Sequence, residues 1–271
     1  MTILVTGGTG LVGSRLLRRL VESGVECRAL VRAGKQLPSG VIPVVGDLFD
    51  PASLASAVEG VSAIVHLAAV FRTADTDEIW KANLEGTRQL IAAAQQFAPQ
   101  ARFIMASTGL VYDAHGQRPG REDDAADPQL AYPASKLAAE NQLRASKLNW
   151  SILRLGFVYG DDDGHLQSVP KLAGAYKWHP ASRLSMIHHR DVATIVRLAL
   201  EGAMDRRIVN VTDESPMSIY EIAALVGESI PPSSDPLANP WWGQIDGTLA
   251  RSLGFQPAVA TAYQAARENA L

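Results

Sequence analysis

The chain is 271 residues long, 47% apolar and 20% charged, with a formal net charge of −3. Its length suffices for one sizeable α/β core and a small added lobe. The slightly acidic balance argues against general binding to nucleic acid or anionic membranes, which calls for a basic excess, and no apolar run is long enough to span a bilayer.

Strand and helix patterns alternate from the first residue. Ile3-Leu4-Val5 reads as a buried strand. Residues 11–23 read as a helix, with Leu16, Leu17 and Leu20 on one side and Arg15, Arg18, Arg19 and Glu22 on the other; Gly24 stops it. Residues 27–31 read as a second strand and 41–45 as a third. The single cysteine, Cys27, falls in the second strand. It can form no internal disulfide, reads as a small apolar filler and gives no sign of an oxidising compartment. A short helix at 54–58, a strand at 63–67 and a long helix at 79–97 stopped by Pro99 follow. Then come a strand at 103–106, a helix at 133–146 and a strand at 150–155. Met1-Thr2 leads straight into the first strand, without the basic start and longer apolar stretch of an export signal, so the expected location is cytoplasmic.

Apolar strands alternating with helices predict an α/β fold: a doubly wound, Rossmann-type parallel sheet covered on both faces. After about Val158 the pattern changes, and proline, glycine and short segments grow more frequent. The expected division is a sheet domain over 1–160 and a small C-terminal substrate lobe over 161–271, with segments near 187–212 returning to the main domain.

Thr6-Gly7-Gly8-Thr9-Gly10-Leu11-Val12-Gly13 sits between the first strand and the first helix. Glycines at 7, 10 and 13 suit a tight turn, a close backbone approach to a pyrophosphate, and close helix-strand packing. The helix N-terminus adds free N–H groups and a partial positive charge. At the end of the second strand, where an acidic residue would bind the ribose 2′-hydroxyl of NAD, the chain has Val31-Arg32, with Lys35 beyond. Arginine there pairs with a 2′-phosphate, so NADP is favoured, with NAD as the alternative and Arg32 as a plain solvated charge the bland reading. Asp47, in Gly46-Asp47-Leu48, fits an adenine contact or a cap for the next helix equally well; Asp50-Pro51 is itself a good helix start. His66-Leu67-Ala68-Ala69 ends the fourth strand with small residues that leave room for a cofactor, and His66 reads as structural.

Tyr132 and Lys136 are four residues apart and share a helix face. A nearby ammonium favours the phenolate and lowers a tyrosine pKa toward the useful range, and Lys136 can also hold ribose hydroxyls. Ser107 and Thr108 end the fifth strand at the ligand edge. Thr108 is the first choice to orient a substrate oxygen, with Ser107 next. No metal-ligating cluster is expected.

Together these residues resemble the extended short-chain dehydrogenase/reductases, the NAD-dependent epimerase/dehydratase family. The similarity also takes in Asn83 with Gly86-Thr87, Ser107 to Tyr112, Leu153 to Gly160 and Ile187 to Val192. It implies Tyr132 as general acid/base, Lys136 as its activating partner and Thr108 as the catalytic hydroxyl. It implies a cofactor site formed by Gly7, Thr9, Gly10, Leu11, Val12 and Gly13 in the turn, with Arg32, Asp47 and Leu48 on the adenosine side. Leu67, Ala68, Ala69, Asn83, Ala106, Ser107, Tyr132, Lys136, Gly156 and Val158 complete that set. Thr108 and Arg190 are implied on the substrate side.

The chain departs from the family at Arg32, at Tyr159-Gly160-Asp161 where proline usually follows glycine, and in its shortened C-terminal lobe. The leading expectation is an oxidoreductase passing hydride between NADP(H) and a small-molecule carbonyl or secondary alcohol. One alternative is a nucleotide-sugar epimerase or dehydratase with tightly bound NAD. Lys171, Lys177, Arg183 and Arg190 are then the candidate diphosphate ligands, and Gly109 after Thr108 argues against a dehydratase carboxylate. Another is a nonenzymatic dinucleotide sensor. The Trp241-Trp242 pair fits an apolar substrate wall, a subunit contact or ordinary packing. A homodimer through the two long helices is a family expectation only.

Overall fold

Short apolar runs, each followed by an amphipathic stretch, leave parallel strands joined by helical crossovers as the way to bury both sheet faces. The computed structural model describes residues 1–112 and 116–271. Its first half runs β1 (Thr2–Thr6), α1 (Leu11–Glu22), β2 (Glu26–Val31), β3 (Ile42–Val45), α2 (Pro51–Val58), β4 (Ala63–His66), α3 (Thr76–Trp80), α4 (Gly86–Phe97), β5 (Arg102–Thr108), α5 (Ala131–Ala145) and β6 (Asn149–Leu155). Its second half runs β7 (Phe157–Tyr159), α6 (His165–Tyr176), β8 (Arg183–Leu184), β9 (Met186–His188), α7 (His189–Leu200), β10 (Arg207–Val211), β11 (Met217–Ser218), α8 (Ile219–Leu225), α9 (Thr248–Ser252) and α10 (Ala262–Arg267). Among the described residues no helix is long and apolar enough to cross a membrane.

The main sheet has seven strands in the order β10-β6-β5-β4-β1-β2-β3, every neighbouring pair parallel. The chain winds outward from β1 through β2 to β3, then returns to β4 and winds the other way. The reversal falls between β1 and β4, and the crevice it leaves at their C-terminal ends is where ligands bind in such sheets. One face buries Leu16, Leu17 and Leu20 of α1 with Val192, Ile195 and Val196 of α7. The other buries Leu54 of α2, Leu90 of α4 and Leu143 of α5. A third cluster, around Tyr159, Leu166, Met186, Ile219 and Val259, forms the core of the C-terminal part.

Most elements follow the sequence pattern to within a residue or three. The helix expected over 79–97 is instead three pieces: α3, a π turn over Lys81–Glu85, and α4. The wider turn re-aims the buried Asn83, whose carboxamide grips the Val70 backbone from both sides, at 2.8 Å each. Cys27 is a fully buried free thiol pushed up to about 11 by burial and by Glu26, an inert filler.

Candidate active site

The turn after β1 needs its glycines for separate reasons. Gly7 has φ +74°, and a Cβ there would lie 2.6 Å from the Ala68 nitrogen, because the turn packs on the chain leaving β4. A Cβ on Gly13 would strike the Gly7 carbonyl oxygen. Gly10 is the N-cap of α1, with no side chain capping the helix and no acidic residue in its first turn. Thr9, Gly10 and Leu11 are exposed. The helix therefore presents open N–H groups into the crevice, a cradle suited to a pyrophosphate.

Around this turn the other expected positions line the crevice edge. Leu67 and Ala68 donate their backbone N–H groups to the Thr6 carbonyl and hydroxyl oxygens, at 3.2 and 3.4 Å. Ala69 is exposed and lacks side-chain bulk. Arg32 is exposed at the end of β2, and its guanidinium pairs with no described residue. Asp47 does not cap α2. It accepts from the Phe49 N–H at 3.0 Å in a local turn, while Asp50 caps α2 by accepting from Ala52 at 3.1 Å. Leu48 packs against Gly86 at the start of α4.

His66 is structural. Its two ring nitrogens meet the Thr6 and Thr87 hydroxyls at 2.6 and 2.8 Å. Burial, then the Lys136 charge, pushes it down to about 3, so it stays neutral.

Thr108 closes β5, and its hydroxyl oxygen accepts from the Leu110 N–H at 3.2 Å. The turn that follows, Gly109–Val111, packs on α5. Helix α5 carries Tyr132 in its first turn and the buried Lys136 one turn later. The Tyr132 ring lies 5.4 Å from that of Phe71, centroid to centroid. Burial pushes the phenol up to about 12. Burial is the cause of that shift, and no lowering by the neighbouring ammonium accompanies it in the chain by itself. Lys136 is pushed down to about 8 by burial, opposed by Glu140, and its ammonium hydrogen-bonds to no described residue.

Several expected contacts resolve differently. The Ser107 hydroxyl does not face a substrate: it donates to Glu140 at 2.5 Å. Asn83 does not reach toward a cofactor: beyond Val70 it donates to Ser135 at 3.0 Å, and Ser135 donates to the Tyr132 carbonyl at 2.8 Å. Asn83 thus locks the first turn of α5 in place. Arg190, expected on the substrate side, pairs with Glu268 at 3.0 Å and lies beside Arg19 and Arg197 on the outer face of α1 and α7. Gly156 has a packing reason for its size, since a Cβ would sit 2.6 Å from the Ser185 carbonyl oxygen. The Val158 carbonyl accepts from His165 at 2.7 Å. Ala106 is half-buried in β5 against the α1 side of the core.

Sequence reasoning missed a buried network. Arg154 of β6 clasps Glu140 of α5 at 2.7 and 3.1 Å, with Arg154 3% and Glu140 0% exposed. Arg154 also donates to the Tyr112 hydroxyl at 3.0 Å, which in turn donates to Asn210 of β10 at 2.6 Å. It joins β5, α5, β6 and β10 directly beneath Thr108 and Lys136. A polar pair one α5 turn beyond Lys136, and an arginine inside an apolar strand, were the available signals.

The profile of the NAD-dependent epimerase/dehydratase family matches residues 3–212. The chain belongs to that family. Among curated relatives it is 30% identical to a dTDP-6-deoxy-L-talose 4-dehydrogenase (NAD(P)(+)) of Kitasatospora kifunensis, covering 98% of this chain and 93% of that one. It is 31% identical to a 4-hydroxy-2-methyl-3-oxo-4-farnesyl-3,4-dihydroquinoline-1-oxide ketoreductase of Stigmatella aurantiaca, covering 84% and 73%. A solved short-chain dehydrogenase/reductase superfamily protein from Agrobacterium tumefaciens with bound NAD superposes with a TM-score of 0.78 at 25% identity, covering 99% and 98%. The family is described as NAD-dependent epimerases and dehydratases, its curated relatives here are named dehydrogenases and reductases, and this chain is an NAD(P)-dependent enzyme of that family. Its departure at Asp161 has a structural basis: the Asp161 carboxylate pairs with Arg19 at 2.6 Å and its carbonyl accepts from Arg15 at 2.7 Å, tying the exit of β7 to α1.

Proposed function

We propose that the protein is an oxidoreductase that passes hydride between NADP(H) and a carbonyl or secondary-alcohol substrate, with Tyr132 as the general acid/base. The observation that carries this reading is Lys136, a buried side chain whose ammonium has no hydrogen-bond partner among the described residues, one turn from Tyr132 on a helix that packs on the turn after Thr108. A side chain enclosed along its length that spends none of its ammonium donors on the protein leaves them free for a ligand in the crevice. The residues fit a dinucleotide: the glycine cradle and open α1 N-terminus suit the pyrophosphate, and Lys136 suits the ribose hydroxyls.

A bound nicotinamide dinucleotide supplies the hydride chemistry. In the reductive direction the Tyr132 phenol donates its proton to the substrate oxygen while the carbonyl carbon gains the hydride. A phenol pushed up to about 12 is fully protonated at neutral pH, which suits donation. The Thr108 hydroxyl orients the same oxygen, each group within roughly 2.6–3.2 Å in a productive pose. The Lys136 ammonium stabilises the phenolate left by that donation, which regains its proton from solvent, and would hold the ribose hydroxyls of the cofactor.

Arg32 supports NADP over NAD, as an exposed guanidinium with no protein partner where a 2′-phosphate would sit. The nucleotide-sugar alternative loses support on the substrate side. Of its four candidate cations, Arg183 donates to the Pro216 carbonyl and faces Glu221, and Arg190 pairs with Glu268. Lys171 and Lys177 are exposed on or just past α6.

The test is Tyr132→Phe. Turnover should fall by roughly 100- to 10,000-fold while NADPH affinity stays within about twofold of the parent. Retained turnover rejects Tyr132 as the proton donor.

A further inference from the structure

A cleft lies between the chain that follows Thr108 and the loop over residues 241–244. Its volume is about 340 Å³, at the small end for small-molecule pockets. One wall is Gly109 and Leu110, directly after Thr108. The opposite wall is Trp241 and Trp242.

The two walls belong to loops that are laced together. Asn239 donates to the Gly116 carbonyl at 3.1 Å and accepts from the Trp241 N–H at 2.8 Å. Gly120 donates to the Gln244 carbonyl at 3.0 Å and accepts from the Asp246 N–H at 2.8 Å. The cleft is therefore a built feature whose rims are held by backbone hydrogen bonds.

Its chemistry is one-sided. Most of the polar side chains around it are already engaged, the exposed Gln117 amide being the exception. The Tyr112 hydroxyl is taken by Asn210 and Arg154, and the Gln244 amide by the Pro240 carbonyl at 2.6 Å. Arg118 is held in a two-pronged pair with Asp124 at 2.7 and 2.8 Å, and Arg121 is paired with Asp246 at 2.8 Å. Among the described residues that line the cleft, Arg118 is the only cation, and Asp124 holds it. The apolar groups are the ones without partners: Leu110 is 42% exposed and Trp241 39% exposed, both facing the same space. Trp242 is braced from behind by Trp178, ring centroids 5.4 Å apart, so the aromatic wall is rigid.

We propose that this cleft is the substrate pocket and that it takes an uncharged carbonyl compound, or its alcohol, with a compact aryl or alkyl body. Trp241 and Leu110 grip the body, leaving the reacting oxygen near Thr108 and Tyr132. The inference rests on the oxidoreductase reading and adds the class of substrate to it. It sets the chain apart from nucleotide-sugar enzymes of the same fold, whose substrates carry a diphosphate.

The test uses the whole chain and N-phenyl-1-naphthylamine, a neutral fluorescent apolar probe. The wild-type chain should bind it saturably, and Trp241→Ala and Leu110→Asn should each weaken binding roughly tenfold. Millimolar UDP or dTDP should not displace the probe. Phe97→Ala, an exposed aromatic at the far end of α4, should bind like the parent. Thermal unfolding and NADPH affinity check that each variant is folded. Absence of probe binding by the parent, binding by both cleft variants as tight as the parent's, or displacement by UDP or dTDP overturns the proposal. Tyr132→Phe separates the two readings, because it should bind the probe normally. Full turnover in that variant sinks the assigned role of Tyr132, whereas an unchanged probe response in Trp241→Ala sinks only the cleft.

Discussion

Glu140→Gln removes the negative charge from the buried network that lies beside Thr108 and Lys136. Glu140 is 0% exposed and accepts from Arg154 at 2.7 and 3.1 Å and from Ser107 at 2.5 Å. Glutamine keeps the shape and one acceptor oxygen, but leaves the guanidinium of Arg154 buried with only the Tyr112 hydroxyl and ring beside it. Removing one partner of a buried pair costs about 3–5 kcal/mol, and the retained acceptor puts this case near the lower figure. At roughly 2–4 °C per kcal/mol for a chain of this size, the melting temperature should drop by about 6–12 °C. Far-ultraviolet circular dichroism against temperature reads this directly. The double variant Glu140→Gln/Arg154→Met removes the stranded charge and should recover at least half of the loss, since a buried pair contributes little once both charges are gone. A single variant within about 1 kcal/mol of the parent, or a double variant whose losses simply add, would refute the reasoning.

Gly13→Ala should cost about 1–3 kcal/mol of stability and at least tenfold in dinucleotide affinity, because the new methyl group meets the Gly7 carbonyl; unchanged NADPH binding would contradict this. Lys136→Met tests the buried ammonium by its pH dependence. Lys136 is pushed down to about 8 from 10.5, so between those pH values the unfolded chain holds the extra proton and native stability rises with pH. Wild type minus variant stability should climb by up to about 3 kcal/mol across that window in urea titrations, and a flat difference would reject a buried charge.

The parts of the site that were legible in the sequence are local ones. The Gly7, Gly10 and Gly13 spacing spans the turn from β1 to α1, the Tyr132-Lys136 pair spans one turn of α5, and Thr108 ends β5, so each is a pattern within a few residues of chain. Of the 187–212 segment, β10 pairs with β6 in the main sheet, while β9 pairs with β7 outside it. What was not legible depends on long-range pairing. Ser107 looked like a second substrate hydroxyl until Glu140, 33 residues on, claimed it. Asn83 looked like a cofactor contact, but the π turn that redirects it has no sequence signature, and its true partners are Val70 and Ser135. Arg190 follows a histidine pair at the start of α7, and only its neighbour Glu268, near the end of the chain, shows that it points away from the crevice. The Tyr132 pKa went the other way from the sequence argument for a related reason: the motif displays the lysine but not the enclosure by Phe71 and the surrounding loops.

The central claim is an NADP(H)-linked oxidoreductase, and the identity and tightness of the dinucleotide test it most directly. The freshly purified protein would be denatured and any released dinucleotide identified by mass spectrometry, and cofactor-free protein would be titrated with NADPH and NADH. The account predicts little retained cofactor and NADPH binding roughly 10- to 100-fold tighter than NADH, a preference that Arg32→Ser abolishes. Stoichiometric, slowly exchanging NAD would contradict it and point instead to an enzyme that oxidises and re-reduces one bound substrate.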